Sequence, residues 1–155
     1  MGVERRLEEL GIVLPEVPAA VANYIPGVIV GEVLFLSGTI GQYNGEIPIK
    51  GKLGAEVTVE QGYESARLAG LNHLAMAKHC LGGDLDRVVR VVRLLGYVNS
   101  APGFKEAPWV VNGESDLLVA VFGEEKGKHA RAAININELT YDAPVETILT
   151  LHVRP

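Results

Sequence analysis

Two hydrophobic periods alternate along this chain, and the switches between them mark its elements. Residues 3–10 (VERRLEEL) place Val3, Leu7 and Leu10 on one side of a short helix that Gly11 stops. In VIVGEVLFLSG, at 28–38, two β-rich runs flank Gly31-Glu32, the pattern of a hairpin whose second strand ends at Ser37-Gly38. Residues 39–56 carry Gly41, Gly45, Pro48, Gly51 and Gly54 and read as a long loop. Thr58 with Gln61 three positions later is a capping-box pattern. Tyr63, Ala66, Gly70, Leu74, Ala77 and Leu81 then trace one apolar helical face, and Gly82-Gly83 ends the helix. RVVRVVRLLGYV, at 87–98, is β-branched; strict alternation points Val89, Val91, Leu95 and Tyr97 one way and Val88, Val92, Leu94 and Val98 the other. A second helix is predicted over 105–122, followed by strands at 131–136 (RAAINI) and 145–153 (VETILTLHV).

That order predicts one α+β domain over residues 1–155, with a helical extension at 1–17. Two main helices cover only one face of a sheet of about five strands. The other face is also apolar, so burial by identical subunits is expected, because soluble monomers seldom expose such a patch. Hydrophobic residues make up 48% of the chain and aromatics only 6%, so the core must be aliphatic.

Charge narrows the partners. The net charge is −5 and the basic residues are scattered, so no cluster suits a phosphate backbone and nucleic acid is not expected. Cys80 is the only cysteine, which fits a reducing compartment. The first residues lack a continuous apolar h-region, and no run approaches the ~20 apolar residues of a membrane span. A cytoplasmic location without membrane partners is the expectation.

Catalytic signatures such as G-x-S-x-G, a P-loop or H-E-x-x-H are missing. His73, His79, His129 and His152 have no metal-like spacing, so no metal site is predicted. Cys80 lies near a helix C-terminus, where the dipole disfavours a thiolate. Arg131 opens a strand and shares a face with Ala133 and Asn135; its planar fork matches a carboxylate. Strand position alone favours a surface arginine, or a structural partner of Glu138 or Asp142, over a binding role. If the last two strands form an antiparallel hairpin, Glu146 lies near Arg131, either to orient a water or to pair with the arginine. Ser37-Gly38 is either an anion-binding turn or a plain strand end.

Together, Tyr24, F-L-S-G at 35–38, the long helix ending in Gly-Gly, the valine-rich strand, V-F-G at 121–123, A-R-A-A at 130–133 and A-P-V-E at 143–146 resemble the Rid family, the reactive-intermediate deaminases also known as the YjgF family. The resemblance covers roughly 18–153 and implies a chorismate-mutase-like fold: a mixed sheet with two main helices on one face, assembled as a homotrimeric barrel with ligand clefts between subunits. It implies hydrolysis of 2-imino acids and their enamine tautomers to 2-oxo acids and ammonia without metal or cofactor. Carried onto this chain, Arg131 clamps the substrate carboxylate with backbone N–H near Ser37 and Gly38, Glu146 positions water, and Tyr24 shapes the cleft. The polar residue of the second helix falls on Asn112 or Ser115. The chain departs from the family pattern at Ala132, Ala133 and Gly41 and in its N-terminal extension. The alternatives are a non-catalytic trimer that binds small carboxylates and, further off, an endoribonuclease.

Overall fold

The computed structural model describes residues 2–154. Helix α1 (Val3–Glu9) leads into an irregular segment, then β1 (Gly27–Val30), β2 (Val33–Leu36), β3 (Thr39–Ile40), α2 (Val59–Cys80), β4 (Val88–Asn99), α3 (Ala107–Gly127), β5 (Ala130–Ile136) and β6 (Val145–Val153). The predicted hairpin is present, with Val30 opposite Val33 around Gly31-Glu32. Gly31 takes φ +59°, as a two-residue turn of this hand requires.

The capping box opens α2 as predicted. Gln61 N–H donates to Thr58 Oγ1 at 3.1 Å, and Thr58 N–H donates to Gln61 Oε1 at 2.9 Å. Ala66, Leu74, Ala77 and Leu81 of the predicted face are all buried. In α3 the regular helix ends at Phe122, where the sequence placed it; Gly123 leaves helical geometry (φ +83°, ψ +166°) before a last turn to Gly127. The two long helices approach closely at Gly113, where a Cβ would lie 1.9 Å from the Tyr63 carbonyl oxygen.

Both helices cover one face of a six-stranded mixed sheet of order β1-β2-β6-β4-β5, with β3 also on β6. Leu34, Leu94, Leu149 and Leu151 form the fully buried centre beneath them. All pairings are antiparallel except β4 with β5, which α3 connects. A parallel pair needs such a crossover.

The sheet corrects three expectations. The C-terminal strands do not pair with each other: β4 lies between β5 and β6. Strict alternation fails in β4, where register shifts between Val88 and Arg90 and between Val91 and Arg93 insert extra residues. The buried apolar side chains are therefore Val88, Val91, Leu94 and Val98, while Val92 stays exposed. The glycine-rich stretch after Ser37-Gly38 is not all loop, since Thr39 and Ile40 pair with Thr147 and Glu146.

The sheet face away from the helices is apolar and uncovered in the single chain. Val28, Val30, Phe35 and Ile134 are exposed there, with Leu95, Tyr97 and Ile148 half-buried among them. No helix among the described residues is long and apolar enough to cross a membrane.

Candidate functional site

The pairing of β3 with β6 assembles one half of the site. It sets Ile40 opposite Glu146 and brings the Gly38 backbone alongside, so that a Cβ on Gly38 would lie 3.4 Å from the Glu146 carboxyl. Tyr24, Gly38 and Glu146 all line one cavity of about 540 Å³, a size that suits a small metabolite. Burial pushes the Glu146 carboxyl above its ordinary 4.5, and the nearby His73 works in the opposite direction. No group among the described residues accepts from the Gly38 N–H. The Ser37 hydroxyl instead donates to the Ile25 carbonyl at 2.6 Å, so Ser37 contributes backbone rather than side chain. Gly41, where the family pattern has proline, lies against α2: a Cβ there would sit 2.1 Å from Ser65 Oγ.

Behind this turn is a buried polar pair that sequence reasoning missed. His73 Nδ1 lies 2.7 Å from Glu114 Oε1, with both side chains fully buried. His73 Nε2 lies 3.1 Å from the Ser37 carbonyl. A carbonyl only accepts, so Nε2 carries hydrogen. The pair therefore grips the Ser37–Gly38 peptide from behind and holds the Gly38 N–H in place. Two polar residues inside apolar helix stretches were the available signal.

The second half of the site is centred on Arg131. Its Nη1 donates to Asn112 Oδ1 at 2.6 Å and Ser115 Oγ at 3.1 Å, and its Nη2 donates to the Pro108 carbonyl at 3.1 Å. Ser115 Oγ in turn lies 3.0 Å from His129 Nε2, while His129 Nδ1 lies 2.6 Å from the Gly127 carbonyl. A consistent proton assignment runs from Arg131 to Ser115, from Ser115 to His129 and from His129 to Gly127. His129 is a further support that the sequence reading missed. Three of the five guanidinium N–H groups are used, which leaves Nε–H and one Nη2–H without partners among the described residues. Two N–H groups on adjacent nitrogens are what a carboxylate engages in bidentate fashion. Burial lowers the Arg131 pKa and Asp116 opposes that; the group remains a cation at neutral pH. Neither of the partners considered from sequence is used: Glu138 pairs with Lys52, and Asp142 Oδ1 accepts from Asn99.

The two halves stay apart within one chain. Arg131 pairs with Leu94 on one edge of β4, and Glu146 pairs with Tyr97 on the other. Two strand spacings and a three-residue offset separate their backbones by roughly 14 Å. The expected proximity of Arg131 and Glu146 in a hairpin is thus overturned, because β4 intervenes. Among the described residues no group of three or more His, Cys, Asp or Glu side chains is placed to hold a metal ion. Burial pushes the Cys80 thiol up, away from a reactive thiolate.

Residues 4–148 match the model of the family described as "YjgF/chorismate mutase-like, putative endoribonuclease". The chain belongs to this family. Among YjgF-like relatives, Protein TCP17 of Trypanosoma cruzi is 43% identical over 144 residues, which span 93% of this chain and 89% of that protein. The solved structure of Atu1372, a protein of unknown function from Agrobacterium tumefaciens, is 40% identical with a TM-score of 0.90, covering 98% of this chain and 92% of that one. A protein from Shewanella oneidensis described as a putative endoribonuclease is 37% identical with a TM-score of 0.93, covering 99% of this chain and all of the other. The YjgF/chorismate-mutase-like fold expected from the sequence is therefore the fold of this chain.

Proposed function

We propose that this YjgF-family protein is a cytoplasmic homotrimer that hydrolyses 2-imino acids and their enamine tautomers to 2-oxo acids and ammonia, in clefts between subunits. The observation that carries the reading is the division of the site. Glu146, Gly38 and Tyr24 line a cavity with no cation to anchor a carboxylate, while Arg131 stands elsewhere with two N–H groups free. The uncovered apolar sheet face gives identical chains a reason to associate. Association brings the Arg131 of one copy to the Glu146 of the next.

In the joined site Arg131 and the Gly38 N–H hold the substrate carboxylate and fix the imine carbon. Glu146 takes a proton from water as the water oxygen bonds to that carbon and passes it to the imine nitrogen, giving the carbinolamine. It then relays the hydroxyl proton to the same nitrogen, so that the C–N bond breaks and ammonia leaves from the 2-oxo acid. An imine carbon is already electrophilic, so positioning and a base suffice. The raised Glu146 pKa makes it a stronger base than an exposed carboxylate.

Complementation tests this. Arg131→Ala and Glu146→Gln proteins are unfolded together, refolded as mixed trimers and assayed with an imine generated in situ by an amino-acid oxidase. An intersubunit site restores about one quarter of wild-type activity, since random mixing gives each site both intact residues about one time in four. No recovery, or no wild-type acceleration over buffer, overturns the proposal.

The three internal partners that hold Arg131 rigid favour carboxylate binding whether or not turnover follows. The second reading is accordingly a non-catalytic carboxylate-binding trimer. It predicts calorimetric binding of 2-oxo acids with no turnover. The ribonuclease suggested by the family description gains nothing from a chain of net charge −5.

A further inference from the structure

The first part of the segment between α1 and β1, residues 10–18, plays no part in the proposed chemistry, but it is anchored to the loop after β3. Glu16 N–H donates to Asn44 Oδ1 at 2.9 Å, and the Tyr43 hydroxyl donates to the Val13 carbonyl at 3.2 Å. These bonds lay Glu16 and Val17 along the same cavity that holds Glu146. Another part of the wall is Asn72 of α2, only 1% exposed. Its Nδ2 donates to the carbonyls of Ile40 at 3.3 Å and Gln42 at 2.8 Å, which fixes the orientation of the amide. Its Oδ1 is left with no partner. That oxygen is closed off from solvent, so Asn72 serves the wall by tying down the Ile40–Gln42 backbone. The cavity lining contains two carboxylates, Glu16 and Glu146, and no Lys, Arg or His.

We propose that this cavity is the side-chain subsite of the substrate, walled by the N-terminal extension, and that it selects uncharged or cationic side chains against acidic ones. The inference rests on the deaminase or carboxylate-binding reading above and adds the substrate class to it. The carboxylate end of a ligand lies at Gly38, toward the Arg131 of the neighbouring copy, and the lining itself supplies no cation, so the remainder of the cavity receives the other end. An acidic side chain there meets Glu146, with Glu16 at the exposed rim, and no cation beyond the Arg131 already engaged by the substrate carboxylate; repulsion across a recognition surface is an effective means of discrimination. The extension thus acts as a specificity element.

Calorimetry on the full chain tests this with pyruvate, an unbranched neutral 2-oxo acid of five carbons, a 2-oxo acid with a terminal hydroxyl, and 2-oxoglutarate. The same panel is measured on Val17→Trp, which fills the cavity, and Glu16→Lys, which reverses charge at its wall. In the wild type, 2-oxoglutarate is expected to bind at least about tenfold more weakly than its neutral five-carbon analogue, and the hydroxyl compound at least as well as pyruvate. Val17→Trp weakens the longer ligands and spares pyruvate, and Glu16→Lys improves 2-oxoglutarate selectively. If pyruvate binds but 2-oxoglutarate matches its neutral analogue, or if both variants affect every ligand equally, the side-chain subsite is refuted and the carboxylate site stands. If nothing in the panel binds, both readings fall.

Discussion

His73 and Glu114, forty-one positions apart on two helices, meet through Nδ1 and Oε1 at 2.7 Å with no exposure to solvent, and Glu114 Oε2 has no partner at all. Removing one member strands the other in the core, which typically costs about 3–5 kcal/mol. His73→Leu and Glu114→Leu should each lose stability on that scale in denaturant titrations. The double Leu variant should recover a large part of it, because apolar replacement removes the buried polar demand altogether. Additive losses in the double variant would show that the two residues are not coupled.

Arg131 should be irreplaceable by lysine. Arg131→Lys keeps the charge but not the fork, and it loses the geometry by which Asn112, Ser115 and Pro108 hold the group. Charge-assisted hydrogen bonds are worth about 1.5–3 kcal/mol each, so pyruvate affinity measured by calorimetry should fall at least roughly tenfold in both Arg131→Lys and Arg131→Ala. A lysine variant that binds like the wild type would show that only the charge matters.

Glu146 should govern the pH dependence of both rate and stability. Burial raises its pKa in the folded chain above 4.5, so the acid limb of kcat/KM should be centred above that value and vanish in Glu146→Gln along with the activity. For stability, the native state retains the proton through a window in which the unfolded chain has lost it. Stability therefore falls as pH rises from the ordinary value through the raised one, and the cost is fully present above both. Glu146→Gln should melt at or above the wild-type Tm at neutral pH and lose that advantage below pH 4.5. A Gln variant less stable at neutral pH would mean that a favourable partner, rather than desolvation, dominates at this carboxylate.

Subunit association should depend on the uncovered sheet face. Phe35→Glu and Ile134→Glu place charges among its exposed apolar residues. Sedimentation should show these variants as smaller species than the wild type, whose Tm should rise with protein concentration. A wild-type chain that sediments as a monomer at all concentrations would remove the basis for a shared site.

The helix contact at Gly113 gives a steric prediction. A methyl group there would lie 1.9 Å from the Tyr63 carbonyl oxygen, which belongs to backbone and cannot rotate away. Gly113→Ala should destabilise the protein by about 1–3 kcal/mol or more, read from the denaturation midpoint. A neutral alanine variant would show that α2 and α3 can part without loss.

By itself the sequence determined the elements and most of their ends. Thr58 and Gln61 cap α2 through contacts three residues apart, and Gly31 and Gly123 act through their own backbone angles, so each signal is local. It also marked Arg131, Glu146, Gly38 and Tyr24 as candidates, through a resemblance in motif and spacing. The tertiary structure alone decided which of them meet. Alternation along a strand specifies the face a residue occupies but not the neighbouring strand, so nothing in residues 131–153 announced that β4 would separate Arg131 from Glu146. The bulges of β4 likewise depend on its partner β6, because a register shift exists only between two strands. The His73–Glu114 pair and the bare Asn72 oxygen belong to the same class: each arises from burial among residues distant in sequence, where desolvation makes a polar group seek whatever partner the fold supplies.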